Sequence, residues 1–133
     1  MLHVQLPAHV GSVPLARHRV VDYCTGDQCT VVPPLEHRPG VDTTQLVALL
    51  TTELVANAVE HGHGDVLDLA VDCSADGIWV GCTDANPAVP VLRDVDLQAT
   101  SGRGVALIAT LASAWGVDAV GSRGKQVWFR VGP

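Results

Sequence analysis

Glu53 and Asn57 lie four residues apart within an apolar run. On a helix that spacing sets a carboxylate and a carboxamide side by side on one face. Such a pair offers hard oxygen ligands to a hydrated magnesium ion and a base that polarises a water or hydroxyl. A Glu–Asn hydrogen bond buried for structural reasons is the competing reading of these two residues alone. Asp84 closes a second apolar stretch and is followed by Asn86 and Pro87. A carboxylate there either accepts a hydrogen bond from an exocyclic amine, such as that of adenine, or caps a turn. The segment Ser101-Gly102-Arg103-Gly104 precedes a third apolar run. It offers backbone N–H groups and a positive helix terminus to an anion, with Arg103 adding charge, although glycine pairs at loop-to-helix junctions are common. His61-Gly62-His63 holds metal-ligand residue types. It lacks the further Cys/His set that zinc needs, and reads more simply as the end of a helix.

These groups need elements to hold them. The helix carrying Glu53 and Asn57 is predicted from a cap at Asp42 or Thr43, through Leu46-Val47-Ala48-Leu49-Leu50, to about His61, with Gly62 and Gly64 as terminators. Apolar residues fall all round it, which predicts burial on most sides. Glu53, Asn57, Glu60 and His61 nevertheless share one stripe, continued toward the amino end by Leu46 and Leu50. An amide buried without partners costs about 2–7 kcal/mol, so a polar network or a ligand is expected at the carboxyl half. Val66 to Cys73 and Ile78 to Asp84 alternate about the turn formers Asp76 and Gly77. They predict a hairpin with one covered and one wetter face, ending at Asp84.

The remaining elements are plainer. A short strand spans Val4 to Leu6 before Pro7, and a helix capped by Ser12 ends near Cys24 to Gly26. Thr30 to Gly40 is a loop by its prolines. Ala85 to Thr100 is a long connection without a period. A helix follows from about Val105 to Trp115, and two strands, Val117 to Val120 and Gln126 to Val131, come last.

Composition excludes several classes. A chain of 133 residues is expected to form one domain. With 47% hydrophobic and 17% charged residues, it is not a disordered chain. A net charge of -6 gives no general attraction to nucleic acid or an anionic membrane. Aromatics at 4% are too few for a base-stacking surface. No basic leader or membrane-length apolar run is present, so a cytoplasmic protein is expected. Cys24, Cys29, Cys73 and Cys82 match neither a disulfide framework nor a zinc pattern, and read as small buried hydrophobes.

Taken in order, three segments resemble the boxes of the GHKL ATP-binding superfamily. Glu53-Leu54-Val55-Ala56-Asn57-Ala58-Val59-Glu60-His61-Gly62 resembles its N-box. Val80 to Pro87 resembles the G1 box, and Ser101-Gly102-Arg103-Gly104-Val105-Ala106-Leu107-Ile108 the G2 box. The likeness spans roughly Asp42 to Val131 and is closest to the anti-sigma-factor serine/threonine kinases and their actinobacterial relatives.

The resemblance implies an α+β fold, a two-layer sandwich with a mixed, mostly antiparallel sheet and helices on one face. It implies ATP and magnesium as cofactors. Glu53 would be the general base and Asn57 the magnesium ligand. Asp84 would recognise the adenine amine, while Gly102, Arg103 and Gly104 would receive the phosphates. His61, Asn86, Pro87, Ser101 and Val105 would complete the nucleotide site, and the loop from Pro87 to Ser101 would be its lid. The implied partners are an anti-sigma-factor antagonist, phosphorylated on serine or threonine, and a sigma factor, which makes the protein a transcription regulator. A homodimer through the sheet or its edge is one assembly the family uses.

The pattern departs at Asn86 and Ala88, where glycines are expected, and at Gln126, which replaces a threonine that many relatives use near the adenine. These changes favour the alternative, a catalytically weak or inactive interaction module that sequesters a regulatory partner. A small metal-binding protein using His61 and His63 is a third reading with little support.

Overall fold

The computed structural model describes residues 1–26, 43–62, 64–85, 103–121 and 124–132. Strand β1 (Leu2–Pro7) leads to α1 (Ser12–Thr25), and α2 (Thr43–His61) precedes the hairpin of β2 (Val66–Ser74) and β3 (Gly77–Asp84). Helix α3 (Arg103–Leu111) then leads into β4 (Ala114–Ala119) and β5 (Lys125–Val131). The sheet order is β1-β2-β3-β5-β4, and all four pairings are antiparallel. This is the expected α+β layered fold. Its sheet is more uniform than the mixed one anticipated, with no parallel pair among the described residues.

Alternation along the strands decides which face the helices cover. Leu67, Leu69 and Val71 of β2, Val80 and Cys82 of β3, and Val127, Phe129 and Val131 of β5 are buried in one core with Leu50 and Leu54 of α2 and Ile108 of α3. Each fully buried Leu or Phe side chain contributes about 1.5–3 kcal/mol through burial. Helix α2 lies centrally, packing on α1, α3, β3 and β5. The opposite face carries the exposed Asp68 and a stack of Trp79 on Trp128, with ring centroids 6.5 Å apart and 29° between planes. The hairpin thus has the covered and wetter faces its alternation predicted.

Three local expectations are corrected. Ser12 opens α1 but does not cap it, because its hydroxyl donates instead to the Pro7 carbonyl at 2.6 Å and ties the helix to β1. The last helix stops at Leu111 rather than Trp115. The Ser113 N–H donates to the Arg130 carbonyl at 2.8 Å, and Trp115 pairs with Phe129 as part of β4. Of the three cysteines among the described residues, only Cys82 is buried, while Cys24 and Cys73 are half-buried with their thiols 3.8 Å apart. Cys29 lies outside the described residues.

Candidate functional site

Helix α2 ends where β3 ends. The Gly62 N–H donates to the Ala58 carbonyl at 2.8 Å, and a Cβ on Gly62 would lie 3.0 Å from Cβ of Asp84. Glycine is therefore what lets the carboxyl end of α2 close onto that carboxylate. On the other side, Gly124 approaches the same backbone so closely that a Cβ there would sit 2.0 Å from the Asp84 carbonyl oxygen. Asp84 is held between two glycines.

Its side chain is almost wholly enclosed, and so is its partner. The β3–β5 ladder sets Asp84 directly opposite Lys125. Lys125 Nζ lies 3.1 Å from Asp84 Oδ1, with the two side chains 3% and 1% exposed. Desolvating two such ions offsets most of their attraction, so the pair adds little net stability. Removing one partner alone costs about 3–5 kcal/mol. The Cys82 thiol, also on the covered face of β3, is pushed up to about 12, by burial first and then by Asp84 and Asp68, against an opposing effect of Lys125.

The polar stripe of α2 divides by depth. Asn57 is buried, Glu53 is half-buried, and Glu60 and His61 are exposed, with His61 Nε2 3.8 Å from Glu60 Oε1. Glu53 and Asn57 present the oxygen donors magnesium takes, and their four-residue separation on one continuous helix keeps them adjacent. The donor set fits that ion. Among the described residues, no cluster of three or more His, Cys, Asp or Glu could hold a metal. His63 lies outside those residues, so the histidine reading gains nothing.

Helix α3 opens at Arg103 and Gly104, with Val105 buried. It finishes beside Arg130, at the far end of β5 from Lys125. Its amino-terminal end carries the N–H groups without intrahelical partners and the positive dipole terminus. Asn86, Pro87, Ala88, Ser101, Gly102 and the expected lid lie outside the described residues.

Strand alternation corrects one position. Gln126 pairs with Thr83 on the face away from the helices, and its Nε2 lies 3.1 Å from where a Cβ on Gly81 would be. Lys125, one residue earlier, faces the helices beside Asp84. Sequence reasoning missed Lys125, Gly62 and Gly124 as parts of this site. The signal was the period of two: Val127, Phe129 and Val131 point inward, so Lys125 must as well.

Among the described residues, no helix is long and apolar enough to cross a membrane. A family model described as a histidine kinase-like ATPase domain matches residues 6–131. No curated protein gives a significant match to the chain.

Proposed function

We propose that this chain, a member of the histidine kinase-like ATPase domain family, is an ATP-binding regulatory protein. It transfers the γ-phosphoryl group of ATP to a serine or threonine of an anti-sigma-factor antagonist, with residues 1–133 acting as one domain in the cytoplasm. The observation that carries the reading is the meeting of the end of α2, at Gly62, with buried Asp84 at one end of the sheet, on the helix whose carboxyl half bears Glu53 and Asn57.

In this reading Asp84 accepts a hydrogen bond from the adenine 6-amino group. Backbone N–H groups at the start of α3, from Ser101 through Val105, receive the phosphates with the Arg103 charge, and His61, Asn86 and Pro87 border the nucleotide. Asn57 holds the magnesium ion, which when bound neutralises charge on the phosphates. The hydroxyl oxygen of the protein substrate attacks the γ-phosphorus, Glu53 takes the hydroxyl proton, and ADP leaves with the electron pair of the broken P–O bond. A sigma factor is the further partner of this regulatory circuit.

Calorimetric titration with ATP, with and without magnesium, tests the pocket. Asp84→Asn keeps the shape beside Lys125 and is expected to lose ATP binding, whereas Glu53→Ala keeps binding and loses transfer. Equal affinity of Asp84→Asn and the parent rejects the pocket. Asn86 and Ala88, in place of glycines, favour the second reading, an interaction module of the same fold with weak or no catalysis. Under that reading the parent gives no binding heat up to millimolar ATP.

A further inference from the structure

We propose that Cys24 and Cys73 form a redox-active dithiol, which a small-molecule disulfide of the glutathione class converts into a reversible disulfide joining α1 to β2. The inference stands apart from the nucleotide reading and does not depend on it.

Both cysteines are the last members of rows that point into the core. Ser12, Ala16 and Val20 are the buried residues of α1, and Cys24 continues that i, i+4 row in the final turn of the helix. On β2, Leu67, Leu69 and Val71 are buried, and Cys73 follows at the next position of the same period. The two rows meet at the margin of the core, where both side chains pack against its buried cluster yet are only half-buried. There the thiols stand 3.8 Å apart, across 49 positions of sequence. Neither sits on a loop, since Cys24 lies within α1 and Cys73 pairs with Ile78 in the β2–β3 ladder. The packing of helix on sheet therefore builds the contact. A disulfide needs about 2.05 Å between sulfurs, and the remaining gap of about 1.8 Å is within reach of side-chain rotation.

Access separates this pair from Cys82. Half exposure lets a reagent reach Cys24 and Cys73. Cys82 is 1% exposed, and burial pushes its thiol up to about 12, so it supplies no thiolate to compete.

The chemistry is two successive thiol–disulfide exchanges. The thiolate of one cysteine attacks a sulfur of oxidised glutathione, whose S–S bond breaks, and one glutathione leaves as a thiolate. The second cysteine gives its proton to water and attacks the cysteine sulfur of the mixed disulfide, expelling the other glutathione. Two cysteine thiols are oxidised, and one glutathione disulfide is reduced to two glutathione thiols that take up the protons released. Disulfides at exposed positions are the labile, regulatory ones, so excess reduced thiol reverses the step.

The test treats the full chain with oxidised glutathione, blocks remaining thiols by alkylation, and maps the products by mass spectrometry after cleavage before aspartate. Cleavage at Asp27 separates Cys24 from Cys29, and cleavage at Asp76 separates Cys73 from Cys82. The expected product joins the peptide carrying Cys24 to the peptide carrying Cys73, and dithiothreitol releases it. The same link forms in Cys29→Ser and is lost in both Cys24→Ser and Cys73→Ser. Closing a loop of 49 positions is expected to raise the thermal midpoint of the oxidised chain by about 10 °C over the reduced one.

A link through Cys29, or glutathione retained on Cys24 or Cys73 as a stable mixed disulfide, means that the two sulfurs do not meet and overturns the inference. A chain that stays fully reduced in excess oxidised glutathione overturns it as well. So does a cross-linked chain that melts at or below the midpoint of the reduced one, because the link then forms only by distorting the packing.

Discussion

Replacing Gly124 by alanine isolates the contact that holds Asp84 in place. Gly124 has φ +111, and a Cβ there would lie 2.0 Å from the Asp84 carbonyl oxygen and 2.6 Å from the Ala85 carbonyl carbon. Both contacts are backbone atoms in or next to a strand, so neither yields as a side-chain tip would. A non-glycine residue held in such a conformation costs roughly 1–3 kcal/mol. Forcing extra volume into a packed site costs roughly another 1–3 kcal/mol. The expected destabilisation is therefore about 4 kcal/mol. Gly121, three residues earlier in the same β4–β5 connection, supplies the control: its φ is +64, and a Cβ there meets nothing within 4 Å. Gly121→Ala carries the left-handed backbone cost alone, about 1 kcal/mol.

The two variants are compared by urea denaturation. With a slope of about 2 kcal/mol per molar urea, typical of small proteins, Gly124→Ala is expected to lower the midpoint by about 2 M and Gly121→Ala by about 0.5 M. The measurement that refutes the reasoning is simple. If the two variants unfold within about 0.5 kcal/mol of one another, the pressure of Gly124 on the Asp84 backbone is not real.

Two further outcomes follow from buried groups. Since Cys82 is raised from the ordinary thiol value of 9.0 to about 12, the folded thiol keeps its proton where the unfolded one loses it. Its contribution is complete below pH 9 and is lost as pH rises toward 12, so the stability gap between parent and Cys82→Ala should narrow by about 1.4 kcal/mol per pH unit above pH 9. Parallel midpoint–pH profiles would argue against this. The Thr51 hydroxyl is buried without a hydrogen-bond partner among the described residues. Thr51→Val should therefore leave stability unchanged or raise it by about 1 kcal/mol, and a loss of that size in a thermal melt would mean the hydroxyl is bonded.

The layered fold was legible because its elements are locally consistent. The central helix was predicted to His61, where it ends, and the Asp76-Gly77 turn placed the hairpin correctly. The three boxes drew attention to Glu53, Asn57 and Asp84, of which Asn57 and Asp84 are buried polar groups. What was not legible depended on partners distant in sequence. Whether Trp115 ends a helix or joins a strand is settled by Arg130 and Phe129 across a turn. The ion pair joins residues 41 positions apart, and no local propensity encodes it. The inward position of Lys125 could have been read from alternation, but a lysine beside Val127 and Phe129 looks like a strand end in water until an enclosed carboxylate is found opposite.

The stacked Trp79 and Trp128 give the molecule an internal optical gauge. The two indoles sit on adjacent central strands, β3 and β5, on the face turned away from Asp84 and Lys125. In a chain with three tryptophans and one tyrosine, transitions coupled through that stack should dominate the near-ultraviolet circular dichroism. The signal can exist only when β5 has docked against β3 in register. Its appearance during refolding therefore times the step that also brings Lys125 to Asp84. A ligand entering from the helix side should leave it unchanged, so folding and occupancy can be followed separately in one cuvette.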